Sequence, residues 1–145
     1  MAKRRSTLTI FLDSSVLFSA VNSPIGGSAK IFTEKNLGLI VSTLVLTEVE
    51  RNIRNKLADY HLTRFFLLVD RLIILNHIPN QKQIESAKKV IAEKDAPILA
   101  SAKLAKSQIL LTLDQRHFLI PAVERFIKPA QILTPKMFFA EKDRV

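Results

Sequence analysis

Five short runs rich in isoleucine, leucine and valine alternate along the chain with longer segments of helical periodicity. Short apolar runs are typical of buried strands, and apolar residues recurring every three or four positions indicate amphipathic helices. Alternation of strand and helix predicts a parallel sheet with helices on both faces. The predicted strands are Leu8–Leu12, Leu39–Val41, Leu72–Leu75, Ile109–Leu113 and Gln131–Leu133.

The chain shows no internal repeat, low-complexity tract or Pro/Gly-rich linker, and its 145 residues suit one domain. We therefore expect residues 1–145 to form a single three-layer α/β/α sandwich around a parallel sheet of about five strands. Residues 1–6, which include Lys3-Arg4-Arg5, are expected to be a flexible basic tail. The predicted helices are Ser28–Asn36, Thr43–Leu57, His61–Arg71, Gln81–Glu93, Asp95–Lys106 and Met137–Ala140.

The chain is strongly basic, with 22 Lys and Arg against 13 Asp and Glu and a formal net charge of +9. Such a field favours an anionic partner, either nucleic acid or an acidic membrane surface, although a basic surface can also serve solubility alone. The apolar run before Asp13 is cut short by that residue and lacks a signal-peptide cleavage pattern. We expect a soluble, cytoplasmic protein with no membrane partner.

Residue types exclude several kinds of site. The chain has no cysteine, which rules out disulfides, thiolate zinc sites and a cysteine nucleophile. His61, His77 and His117 lack the short spacing of a two-histidine metal site. We interpret each of them as a surface or packed residue rather than a ligand.

Carboxylates collect at one edge of the predicted sheet. Asp13 directly follows the first predicted strand and Asp114 the fourth, so both are expected at the edge where parallel strands end and ligands bind. The stretch from Asp95 to Asp114 fits one helix of about 12 residues and a return strand, which brings Asp95 to the same edge. Glu48 lies in the first two turns of the helix after the second strand, again at that edge.

Four carboxylates at one edge repel each other, and a divalent cation relieves that repulsion. Oxygen ligands without cysteine or histidine suit Mg²⁺ or Mn²⁺. Two such ions roughly 3.5–4 Å apart can promote hydrolysis of a phosphodiester. The basic surface and the acidic edge then fit together, because one holds a phosphate backbone and the other cuts it.

Each acid also has a purely structural interpretation. Asp13 could simply end a strand, and Asp95 could cap a helix that has Pro97 in its first turn. Asp114 could start a turn, and Glu48 could pair with Arg51 or Asn52 on a solvated helix face. Their shared location is what favours a functional interpretation.

Four sequence blocks follow one another along nearly the whole chain, and a short loop lies between the first two. The blocks are Ile10-Phe11-Leu12-Asp13-Ser14-Ser15-Val16-Leu17, Ser42 to Val49 with Val45, Leu46 and Glu48, Asp95-Ala96-Pro97-Ile98-Leu99-Ala100-Ser101-Ala102, and Leu111-Thr112-Leu113-Asp114-Gln115-Arg116-His117-Phe118, and the loop is Ser23-Pro24-Ile25-Gly26-Gly27-Ser28-Ala29. The blocks resemble the PIN-domain family, and in particular its VapC-like toxin components of toxin–antitoxin systems. The loop is similar to that of a toxin-component subgroup of the family.

The resemblance implies that an acidic quartet holds Mg²⁺ or Mn²⁺ and carries out catalysis, with hydroxyl side chains supporting it. The family often has Asn two residues after its first Asp, where this chain has Ser15, whose hydroxyl can still hydrogen-bond but reaches less far. The quartet is Asp13, Glu48, Asp95 and Asp114, and the supporting residues are Ser14, Ser15 and Thr112.

The acidic edge and the basic charge predict a metal-dependent nuclease, and the resemblance implies that it is an endoribonuclease that hydrolyses RNA phosphodiester bonds. Arg51, Arg54 and Arg116 are expected to contact RNA phosphates, because they lie close in sequence to Glu48 or Asp114. The alternatives are a PIN-fold module that binds RNA or a partner protein without cutting, and a DNA repair or flap-type nuclease. The resemblance further implies a homodimer and, for toxin members, inhibition by a cognate antitoxin.

Overall fold

The computed structural model of the chain describes residues 7–143, so the predicted basic tail at residues 1–6 lies outside the described residues. Within residues 7–143, five parallel strands form one sheet in the order β3-β2-β1-β4-β5, with helices packed against it. The predicted three-layer α/β fold is confirmed. The strands are β1 (Leu8–Leu12), β2 (Leu37–Ser42), β3 (Ile73–Leu75), β4 (Ile109–Leu111) and β5 (Gln131–Leu133).

Nine helices lie between or after these strands in the described part of the chain. Across residues 7–143, none of them has both the length and the hydropathy that a membrane span requires. The helices are α1 (Ser14–Asn22), α2 (Gly27–Ile31), α3 (Thr43–Lys56), α4 (Asp59–Val69), α5 (Gln81–Lys88), α6 (Ala96–Ala105), α7 (Gln115–Phe118), α8 (Pro121–Ile127) and α9 (Pro135–Lys142).

Strand β1 lies at the centre of the sheet, paired with β2 on one side and β4 on the other. Its residues Ile10, Phe11 and Leu12 are completely buried, because both faces of a central parallel strand are covered by helices. Each such side chain contributes roughly 1.5–3 kcal/mol through burial. The centre of the sheet therefore lies inside the hydrophobic core.

The strand order reverses between β1 and β4. The chain leaves β1 towards β2 and β3, whereas β4 and β5 lie on the other side of β1. Leu12, the last residue of β1, pairs with Leu111, the last residue of β4. Residues that follow these two leucines lie at the switch point, which is where open α/β sheets bind ligands.

Strand β4 is two residues shorter than predicted, since it ends at Leu111 and not at Leu113. The N–H of Leu113 donates to the Ser15 hydroxyl instead of to a neighbouring strand. The backbone therefore turns away from the ladder before Asp114.

Helix α2 also ends early, at Ile31 rather than at Asn36. The chain must turn there to enter β2. Asn36 takes a left-handed conformation, with φ of 65°, and its carbonyl accepts the N–H of Leu8 at 3.2 Å. Helices α1, α7 and α8 were not predicted from the sequence.

Candidate active site

Asp13 follows β1 and is buried, with 5% of its surface exposed. Its Oδ2 atom accepts hydrogen bonds from the hydroxyls of Ser15 at 2.8 Å and Thr112 at 2.9 Å. Burial raises the pKa of Asp13, and these two hydrogen bonds oppose the rise because they stabilise the charged carboxylate. The Asp13 side chain does not cap α1. Its hydroxyl partners therefore hold it at the end of the strand.

The same two hydroxyls join the end of β1 to the loop after β4. Besides donating to Asp13, Thr112 Oγ1 accepts the N–H of Asp114 at 3.0 Å. Ser15 Oγ accepts the N–H of Leu113 at 3.0 Å. Because each hydroxyl donates and accepts at once, a change at either one would disturb both Asp13 and the loop that carries Asp114.

Glu48 lies in the second turn of α3, a helix that Ser42 caps through a hydrogen bond from the Val45 N–H at 3.1 Å. The buried stripe of α3, which includes Val49, packs towards the sheet and leaves Glu48 half-buried at its border. The Oε2 atom of Glu48 accepts a hydrogen bond from the Ser14 hydroxyl at 3.0 Å. Within residues 7–143, Glu48 and Arg51 form no ion pair, so the solvated pairing considered from the sequence is not observed.

Asp95 occupies the position before α6, yet its side chain accepts no capping hydrogen bond. Its Oδ2 atom is buried and has no hydrogen-bond partner, the one such side-chain atom among the residues described. Burial is the main cause of a raised pKa for Asp95, and the neighbouring Lys94 opposes it. The negative charges of Asp114 and Glu48 raise that pKa further. A buried carboxylate oxygen without a donor is costly, and it fits a cation as its missing partner.

Asp114 and His117 face Asp95. The three side chains each offer one atom suited to a metal ion, and these atoms lie within 4.8 Å of one another. Asp114 also caps α7 by accepting the His117 N–H at 3.2 Å. Two carboxylates at this spacing fit a divalent cation.

The three predicted arginines take different positions. Arg51 is exposed and lines a cavity of about 430 Å³ together with Glu48 and Asp95. Arg54 instead forms an ion pair with Glu50 at 3.1 Å, in a separate hollow next to Leu57. Arg116 is exposed on α7, beside His117.

The structure thus brings the four predicted acids to the edge where β1, β2 and β4 end. The predicted supporting hydroxyls donate to two of these acids, Ser15 and Thr112 to Asp13 and Ser14 to Glu48. It places Arg51 at the cavity lined by Glu48 and Asp95, and Arg54 away from it. The sequence interpretation missed His117 as a neighbour of Asp114. Its signal was available, because residues three apart meet at the start of a helix.

The family model for the PIN domain matches residues 10–123 of the chain. That match covers all four acids. No curated protein matches the sequence.

Solved structures of low sequence identity share the fold. A DNA-bound VapBC structure from Salmonella typhimurium is 17% identical, with a TM-score of 0.67 over 88% of this chain and 98% of that chain. VapBC2 from Rickettsia felis, bound to a promoter DNA fragment, is 16% identical, with a TM-score of 0.66 over the same shares. A toxin–antitoxin complex from Klebsiella pneumoniae is 17% identical, with a TM-score of 0.62 over 87% of this chain and 97% of that chain.

Proposed function

The chain belongs to the PIN domain family, which is a family of nucleases, and from that premise we propose that it is a metal-dependent endoribonuclease. The observation that carries the proposal is the buried, unpartnered Oδ2 atom of Asp95, which lies among the other acids at the switch point of the sheet. An acid that served only as a helix cap would accept hydrogen bonds from the first N–H groups of the helix. Asp95 does not.

The residues present fit Mg²⁺ or Mn²⁺. Asp95 and Asp114 would hold the ion, and Asp13 and Glu48 would complete an oxygen-rich site at the same edge. A divalent cation bound there supplies Lewis-acid activation of the phosphodiester and of the attacking water. The chain itself supplies the positioning, because Ser14, Ser15 and Thr112 fix two of the carboxylates.

The basic residues would hold the RNA against this edge. Arg51 lines the cavity next to Glu48 and Asp95, where it can contact a phosphate. Arg116, on the exposed surface two positions after Asp114, is the second candidate. Arg54 stays a weaker candidate, because Glu50 already neutralises it.

The cleavage test compares wild type with Asp13→Asn and Asp95→Asn on labelled single-stranded RNA, with Mg²⁺ or Mn²⁺ added. Removing either carboxylate is expected to lower the rate by roughly a hundredfold or more, as for loss of other preorganised electrostatic groups. Asp70→Asn is the matched control, because Asp70 is exposed at the end of α4. Equal rates for all four proteins would overturn the proposal.

Two parallel assays refine the result. Single-stranded DNA of the same sequence tests whether RNA is the substrate class, which rests on the family resemblance. Calorimetric titration with Mn²⁺ tests the non-cleaving alternative. Metal and RNA binding without any cleavage would identify a binding module instead of a nuclease.

We also propose a protein partner, a cognate antitoxin, and a homodimer. Exposed apolar side chains support a partner surface, since Tyr60 and Leu67 are 71% and 65% exposed and lie seven residues apart on one face of α4. The fold shared with toxin–antitoxin complexes supports an antitoxin in particular. Co-expression with the adjacent reading frame tests the antitoxin, and a co-purifying inhibitor is expected. Light scattering tests the homodimer, and a mass of two copies of the chain is expected.

A further inference from the structure

Asp114 is held from one side by His117. The Nδ1 atom of His117 lies 2.8 Å from Oδ2 and 3.0 Å from Oδ1 of Asp114. The backbone N–H of His117 also donates to Oδ1 at 3.2 Å. Carboxylate oxygens can only accept, so the ring nitrogen that faces them carries the hydrogen.

This contact completes a pattern around the acids. Asp13 is held by Ser15 and Thr112, and Glu48 is held by Ser14. These partners are all donors on short side chains, and each fixes one carboxylate. Asp114 precedes a helix of only four residues and its side chain is 32% exposed; without the imidazole, the His117 N–H would be the one donor that holds its carboxylate among the residues described.

Asp95 is the exception in this pattern. Its Oδ2 atom has no donor among the residues described, although it lies in the group that includes Asp114 and His117. Three acids are thus fixed by the protein, and the fourth keeps an oxygen free. A cation held between Asp95 and Asp114 would need the Asp114 carboxylate in one fixed orientation.

We propose that His117 is a positioning residue that orients Asp114 towards a divalent cation by donating from Nδ1 to its carboxylate. The inference rests on the proposed metal-dependent function. His117 acts through Asp114, because its Nδ1 atom is engaged as a donor to that carboxylate and offers no lone pair there. Hydrogen-bonded partners of ligands commonly change metal affinity by 10–100-fold when they are removed.

The experiment measures Mn²⁺ binding to the full chain by electron paramagnetic resonance, without RNA. His117→Leu removes the donor at similar volume, and we expect a roughly 10–100-fold weaker affinity. His117→Asn is expected to restore most of the affinity, because its amide nitrogen is as many bonds from Cβ as Nδ1 is. His117→Gln places its amide nitrogen one bond further out, and we expect no restoration.

The control is His77→Leu, in the exposed loop before α5, which should bind Mn²⁺ like wild type. Circular dichroism melts check folding. If His117→Leu does not fold, the comparison of His117→Asn with His117→Gln decides, since both are polar amides.

The outcomes separate this inference from the proposed function. Equal Mn²⁺ affinity in wild type and His117→Leu overturns the positioning role alone. A strong ¹⁴N coupling to Mn²⁺ in pulsed spectra of wild type also overturns it, because His117 would then be a ligand. A wild-type chain that binds no Mn²⁺ overturns the positioning role and the proposed function together.

Discussion

The two edges of the sheet differ in whether their charged and polar side chains have hydrogen-bond or ion-pair partners. Where the strands begin, a cavity of about 850 Å³ is lined by residues such as Leu8, Leu37 and Gln131. Where the strands end, the cavity beside Glu48 and Asp95 has about half that volume, near 430 Å³. The larger hollow is therefore not the one with the carboxylates at the switch point.

The edge that forms the candidate site is the one where a carboxylate oxygen lacks a partner. At the larger cavity, Lys142 and Glu34 form an ion pair at 2.6 Å, and Gln131 donates to Glu141 at 3.3 Å. Each of these four side chains therefore has a partner. At the opposite edge, Asp13 is buried and an oxygen of Asp95 is both buried and unpartnered. Unsatisfied charge identifies a cation site better than volume does.

The largest expected difference between the edges is in metal-induced stability. Mn²⁺ at about a hundred times its Kd should stabilise wild type by about 2.7 kcal/mol, because it binds the folded chain. Asp95→Asn should lose most of that gain, whereas Glu141→Gln at the opposite edge should keep it. Thermal melts with Mn²⁺ or a chelator measure the gain. An equal loss in both variants would contradict the contrast.

A second difference concerns the hydrogen bonds behind the acids. Thr112→Val removes a completely buried hydroxyl that serves Asp13 and the Asp114 N–H, and should lower the free energy of unfolding by about 1–3 kcal/mol. Glu34→Gln breaks an ion pair at the other edge whose lysine is 48% exposed, and should cost less than about 1 kcal/mol. Urea unfolding without metal compares them. A larger loss for Glu34→Gln would reverse the comparison.

A smaller effect is expected in RNA binding. On an Asp13→Asn background, Arg51→Gln should weaken binding a few-fold and reduce the salt slope by about 0.7, the value for one lost phosphate contact on a single strand. Lys35→Gln, at the opposite edge, should change neither. Arg54→Gln tests whether loss of an arginine that is paired with Glu50 leaves RNA affinity and salt slope unchanged, as Lys35→Gln should. Fluorescence anisotropy over a salt series measures affinity, and equal slopes for Arg51→Gln and Lys35→Gln would contradict the placement.

The smallest expected effect is in pH dependence. Burial raises the pKa of Asp13 above its ordinary value of 3.8, so the folded chain binds this proton more tightly than the unfolded chain does. Stability from this group is therefore present at low pH and lost as pH rises from about 3.8 through the raised pKa. Asp13→Asn should flatten that decline. Urea unfolding in chelator, from acidic to neutral pH, measures the decline in the free energy of unfolding, and an unchanged slope in Asp13→Asn would contradict a raised pKa of Asp13.

Much of the fold follows from local pattern. The sequence predicted the parallel arrangement, and it placed the five strands and helices such as α3 within a few residues. It could do so because short apolar runs and apolar residues at helical spacing directly reflect which side chains are buried. Helix α1 was missed. Its Val16, Leu17, Ala20 and Val21 are all buried, so its sequence resembles a continuous apolar segment rather than an amphipathic helix.

The end of β4 was also misplaced for a tertiary reason. Thr112 and Leu113 suit a strand, yet Ser15, far away in sequence, takes the Leu113 N–H, and Asp13 takes the Thr112 hydroxyl. The contact between His117 and Asp114 was missed because helix α7 was not predicted, so their spacing of three residues was not interpreted as a helix start.

The sequence by itself determined the parallel sheet and the four acids at the ends of its strands or the starts of its helices. It could do so because the periodicity of strands and helices is a local property of the sequence. Tertiary structure alone decided which polar atoms are satisfied. It gave Asp13 two hydroxyl donors, Asp114 an imidazole, and one oxygen of Asp95 none. Those contacts join residues from different elements, and only packing sets the desolvation that makes an unpartnered carboxylate oxygen costly.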